Sequence, residues 1–238
     1  MSATGAGVGR SRARARSRAR SRADWVGPLC HELGNLLAGI RLTTHFLGGR
    51  VSEGERRKLA RETELLTAQA GAWVALIRPL RAQRPTQSRL APAELLGALE
   101  RSVTELLESP DQLRIPKGRG LPDVRIDSDA VHHLLVLLVA GAISESDGRR
   151  VRIMLREESR HVVMTVADAT RRIPVGPDGP SPRGRELARL VGDELLRIAG
   201  GRLVVAATSR GNRLELWLPR APRAPARRKV PTRARRRR

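Results

Sequence analysis

Apolar positions split the chain into a helical front and a mixed back. Leu33, Leu36, Leu37 and Ile40 form a stripe at helical spacing within a run from about Trp25 to Leu47. A second helical run reaches from Ser52 to about Ala82, with Leu59, Leu66, Ala70, Trp73, Ile77 and Leu80 near the same period. Gly48-Gly49 breaks the first run, and Ser52-Glu53-Gly54-Glu55 has the spacing of a capping box that opens the second. So short a connection predicts an antiparallel hairpin. Two helices cannot enclose a core, so the hairpin is expected to pair with a second copy as a four-helix bundle, a homodimer.

Residues 83–87, around Pro85, read as a linker. Beyond it the pattern alternates between the two periods. A helix is expected over 93–107, short strands at Leu113–Ile115 and Val124–Ile126, and a buried helix over 129–144 rich in Leu and Val. Residues 151–157 and 162–168 alternate as paired strands around Glu158-Ser159-Arg160. A helix over 184–199 stops at Gly200-Gly201, and strands at 202–207 and 214–218 close the chain. The expected class is α plus α/β: a dimeric helical hairpin, then a sandwich of one mixed sheet with helices on one face. The expected organisation is a basic tail over 1–24, the hairpin over 25–83, the sandwich over 84–219 and a second basic tail over 220–238.

Charge changes the picture at the ends. The 238 residues carry a formal charge of +22. Seven Arg alternate with Ser and Ala between Arg10 and Arg22, and residues 220–238 hold ten Lys or Arg. Removing these 17 from the 46 basic residues leaves 29 against at most 24 acidic ones, an ordinary, mildly basic middle. Neither tail has an apolar period, so both are expected to be disordered and to contact polyanions without sequence preference. They carry no aromatic residue for base stacking and precede no DNA-reading motif. One cysteine, Cys30, excludes an internal disulfide; with no second Cys or clustered His, it reads as a packed thiol rather than a zinc ligand. No apolar run approaches a membrane span and the N-terminus lacks a signal-peptide apolar region, so a cytoplasmic protein is expected.

The candidate chemistry lies in Cys30-His31-Glu32-Leu33-Gly34-Asn35-Leu36-Leu37. A turn of 3.6 residues stacks His31 and Asn35 on one face, apart from the apolar stripe. An imidazole attacks phosphorus through one ring nitrogen when a neighbour takes or holds the proton on the other. Glu32 suits that task, and Asn35 suits a hydrogen bond to a phosphoryl oxygen or a water. His45, His132, His133 and His161 have no such surroundings and read as structural or surface residues.

This stretch resembles the H-box of bacterial histidine kinases, His-Glu/Asp-x-x-Asn/Thr-x-Leu, and the resemblance extends over about residues 25–219. Pro122–Asp129 looks like the strand and turn before the family's N-box helix, and Leu134–Ser144 like that helix. Val166-Ala167-Asp168-Ala169-Thr170-Arg171-Arg172-Ile173-Pro174 lies where the family has Val-x-Asp-x-Gly-x-Gly-Ile-Pro. Ile198–Leu203 and Leu214–Pro219 resemble the helix end after the ATP lid and the closing strand. The resemblance implies a histidine-bearing dimerisation hairpin followed by an ATPase-like domain of the Hsp90, gyrase and histidine-kinase (GHKL) type.

The nucleotide-handling positions depart from the pattern. The N-box Asn, a Mg²⁺ ligand in the family, falls on Gly141 or Ala140, and neither has a side-chain oxygen. Asp168 keeps the adenine position, but the two glycines after it are Thr170 and Arg172. Arg183-Gly184-Arg185-Glu186 offers one glycine where the phosphate loop is expected, and Arg171, Arg172, Arg183 and Arg185 read as solvated loop charges. No cofactor or metal is therefore expected. The resemblance implies a histidine phosphotransferase or pseudokinase in which His31, aided by Glu32 and Asn35, exchanges phosphoryl groups with aspartates of response-regulator receiver domains. Leu42 and Leu47 are the expected landing surface. Two alternatives remain: a divergent ATP- and Mg²⁺-dependent sensor kinase, and a non-catalytic dimeric scaffold with polyanion-binding tails.

Overall fold

The computed structural model describes residues 6–81, 86–104, 107, 109–145, 150–169, 184–208 and 211–222. Its front is a hairpin of α1 (Ala6–Leu47) and α2 (Glu53–Arg81). The capping box between them is present. The Ser52 N–H donates to Glu55 Oε2 at 2.9 Å, and the Glu55 N–H donates back to Ser52 Oγ at 3.3 Å. The Ser52 hydroxyl, donating to the same carboxylate oxygen at 2.6 Å, and then the Ser52 N–H hold the Glu55 carboxyl below its ordinary pKa.

The disorder expected over residues 1–24 does not hold for 6–24, which continue α1. Arg and Ala are strong helix formers, and neither Pro nor Gly occurs between Arg10 and Val26. The second tail also starts later than expected. Arg220 bridges to Val124, and the Ala221 N–H donates to the Asp123 carbonyl at 2.7 Å. Residues 1–5 and 223–238 lie outside the described residues.

Behind the hairpin come β1 (Ser88–Leu90), α3 (Pro92–Thr104), β2 (Leu113–Arg114), β3 (Val124–Ile126), α4 (Ser128–Glu145), β4 (Val151–Glu158), β5 (His161–Asp168), α5 (Gly184–Ala199), β6 (Arg202–Thr208) and β7 (Gly211–Pro219). Asp127 starts α4 by accepting the Ala130 N–H at 3.0 Å. Gly200, at φ +84°, ends α5, with the Gly201 N–H returning to the Leu196 carbonyl at 2.7 Å. Five strands form one mixed sheet in the order β2-β4-β5-β7-β6, parallel only between β2 and β4. The unexpected strand β1 pairs antiparallel with β3 as a separate two-stranded ribbon.

Val151, Ile153, Val162, Met164, Val166, Leu214, Leu216 and Leu218 point from one sheet face into the core shared with α4 and α5. Residues Leu134 to Ala140 of α4 are all buried, as befits a helix covered on both sides. The sheet covers one side and α2 packs on α4 from outside, while α1 packs on α5. Trp73, 1% exposed, with Leu76 and Leu80 of α2 and Leu29 and Leu36 of α1, belongs to the same core. This corrects the premise that only a second copy can cover the hairpin: its own α/β layer covers one side.

Candidate functional site

Two sets of residues divide α1 around its circumference. Leu29, Leu36 and Thr43, seven residues apart, are buried. Gly39 sits in the same seam, where a Cβ would meet Leu66 Cδ1 of α2 at 3.0 Å. On the opposite side, His31, Asn35, Leu42 and Phe46 recur at steps of four, seven and four residues, and all are exposed. Leu42 is 56% and Phe46 49% exposed. No hydrogen bond or ion pair holds the His31 ring among the described residues. Glu32, half-buried, shares its side with Leu29 and Leu36, about one turn away in either direction.

Three residues of this region differ from expectation. Cys30 is exposed rather than packed. Leu37 is 62% exposed, because the 100° step from buried Leu36 carries it off the seam with α2. Leu47 is half-buried, whereas Phe46, which the motif does not single out, stands one turn beyond Leu42 on the His31 face. The readable signal for Phe46 is that spacing from Leu42.

The second candidate position is the end of β5. Asp168 is 7% exposed and faces Asn212 across the β5–β7 pair. Both lie in the strand register of the core-facing residues, Asp168 after Met164 and Val166, Asn212 before Leu214. The strands approach tightly here: Gly211 has φ +134°, and a Cβ on it would fall 1.9 Å from the Asp168 carbonyl oxygen.

No protein-family profile matches the chain, and no sequence among curated proteins does. Solved structures do. The histidine kinase AdeS of Acinetobacter baumannii is 15% identical, with a TM-score of 0.55 over 81% of this chain and 98% of that one. The histidine kinase ThkA, in its complex with the response regulator TrrA, is 16% identical, with a TM-score of 0.55 over 87% of this chain. The chain spans 64% of that second protein's length. This chain has the fold of a histidine-kinase core.

In that fold, α1 and α2 are the hairpin and residues 86–222 the α/β part. Ala140 is buried and Gly141 half-buried on α4, and neither supplies an oxygen to a cation. On α5, a Cβ at Gly192 would meet Leu134 Cδ1 at 2.7 Å, so α4 and α5 pack close along that stretch. Thr170, Arg171, Arg172 and Arg183 lie outside the described residues, and the Arg185 side chain is not described. No described helix is long and apolar enough to cross a membrane.

The other histidines lie in structural contacts or on the surface. His45 is exposed at the end of α1. The His133 Nδ1–H donates to the Asp129 carbonyl at 2.7 Å. His132 joins α4 to α3 through Nε2 and Ser102 Oγ, 3.1 Å apart. Burial first, then the charges of His133 and Arg101, push the His132 pKa below its ordinary value, against an opposing pull from Asp129. His161 meets the Trp217 ring edge-on at 5.8 Å.

Proposed function

We propose that this chain is a histidine phosphotransferase of two-component signalling, carrying a phosphoryl group on His31 between response-regulator aspartates. The supporting observation is the α1 face on which His31 and Asn35 stand exposed beside Leu42 and Phe46, turned away from the core. A ring nitrogen of His31 attacks the phosphorus of an aspartyl phosphate. The N–P bond forms, the P–O bond to the aspartate breaks, and the carboxylate leaves as the free side chain of the receiver. Glu32 takes or holds the proton on the other ring nitrogen, and Asn35 hydrogen-bonds a phosphoryl oxygen. Leu42 and Phe46 give the receiver an apolar landing strip. The ThkA structure contains a response regulator, which supports receivers as partners for this fold.

The second reading, a divergent kinase, is favoured by one residue: Asp168, held at the end of β5 where the family binds adenine. Labelled ATP with Mg²⁺, run in parallel with a phosphorylated receiver domain, separates the two. Label from the receiver alone supports the phosphotransferase. Label from ATP promotes the kinase, and label from neither leaves the non-catalytic scaffold.

A further inference from the structure

The sheet face that carries no helix among the described residues is ordered in rows. Register places Arg114 of β2 directly opposite Arg152 of β4, Arg152 opposite Ala167 of β5, and Ala167 opposite Arg213 of β7. Two residues further along each strand is a near-neutral row through Thr165 and Glu215. Beyond it comes a second basic row, Arg156, Val163, Trp217 and Arg202. With rows about 6.7 Å apart, the two basic lines are about 13 Å apart.

The charge on this face is under-compensated. Glu215 receives two bonds from Arg156, both at 3.1 Å, and lies 3.6 Å from Arg213 Nε, and Arg156 also pairs with Glu158 at 3.2 Å, so the compensation falls on the second row and leaves the first. Arg114 and Arg152, opposed in register, have no ion pair among the described residues, and like charges so placed disfavour the sheet in isolation. On this face two buried donors, Arg213 Nε and Trp217 Nε1, meet no acceptor within hydrogen-bond distance among the described residues. The Trp217 ring lies under Arg202 at 4.1 Å and near Arg156 at 5.4 Å. A cavity of about 640 Å³ opens beside the first row, with Arg150, Arg152 and Arg213 and one carboxylate, Asp168, in its wall.

We infer that this open sheet face binds single-stranded nucleic acid, through its phosphates and without a fixed sequence. The charge selects a polyanion. The row-ordered surface suits a strand laid across the sheet, with guanidinium planes against unstacked bases. A lipid surface is disfavoured, because Met154 is the one exposed large apolar residue on this face among the described residues.

The test uses the full chain and a fluorescent mixed-sequence DNA strand of about 20 nucleotides, followed by anisotropy from about 50 to 200 mM salt. Combining Arg114→Gln, Arg152→Gln and Arg213→Gln is expected to reduce the slope of log affinity on log salt by about two, since each single-strand phosphate contact contributes roughly 0.7. Arg202→Gln, on the other row, is expected to weaken binding as well. Ultraviolet cross-linking is expected to join the strand to peptides of β4 and β7. Affinity and slope unchanged in the triple variant, with cross-links confined to the two basic ends, would overturn the inference. So would a duplex of the same sequence that competes better than the strand.

Discussion

The hydroxyls of Thr63 and Thr43 meet across the hairpin at 2.8 Å, the one on α2 donating to the one on α1. Thr43, which is buried, passes its own proton to the Gly39 carbonyl at 3.0 Å, so its hydroxyl stays satisfied. This bridge lies about 18 Å along α1 from His31 and fixes the rotation of the helix. With Thr43 turned inward, Leu29 and Leu36 are turned inward too, and His31 and Asn35 face out.

Thr63→Val therefore removes the bridge while keeping the shape. The expected cost is about 1 kcal/mol, read as a lower urea midpoint at unchanged m-value. A midpoint equal to wild type would mean that the bridge contributes nothing.

A second copy is expected against the hairpin sides that α4 and α5 leave bare, where Leu37 and Val74 are 62% and 59% exposed. Light scattering at micromolar concentration in moderate salt is expected to give twice the 26.1 kDa chain mass. Leu37→Glu combined with Val74→Glu is expected to shift that mass towards one chain. A monomeric wild type contradicts the dimer.

The sequence shows its own limits at particular residues. The capping box at Ser52 and the strand alternation of β4, β5 and β7 were legible, because each depends on neighbours a few residues apart. The apolar run from Leu134 to Val139 announces a buried helix, but one sheet covers only one side of it, and nothing local says that α2 supplies the other. Strand β1 was illegible for the same reason: three residues acquire their conformation by pairing with β3, more than thirty positions away. In the candidate site, helical spacing sufficed to place His31 and Asn35 outward. Leu37 defeated it, since the width of an apolar stripe does not reveal where its partner helix ends.

Nucleotide affinity is expected to be weaker than about 100 µM for Mg-ATP, roughly 5.5 kcal/mol of binding free energy. The reason is the missing oxygen at Ala140 and Gly141. Tighter binding by calorimetry, with label then found on His31, would favour the kinase reading.

Acid is expected to weaken the fold through His132. Its folded pKa lies below the ordinary 6.5, so between the two values the unfolded chain binds more protons. This contribution to stability is complete above 6.5 and is lost as pH falls towards the folded value. His132→Gln is expected to lose less Tm than wild type between about pH 7.5 and 5.5. An equal loss in both proteins would assign the acid sensitivity to other groups.

The phosphoacceptor reading rests on His31, and acid-labile phosphate measures it most directly. Wild type and His31→Gln are each mixed with phosphorylated receiver domains from the same cell, and the labelled peptide is mapped. Wild type is expected to carry label on His31 alone. His31→Gln is expected to carry none yet keep the wild-type mass and melting curve, because an exposed side chain contributes little to the hairpin. Label that persists in His31→Gln, or no label on wild type from any receiver, would contradict the account.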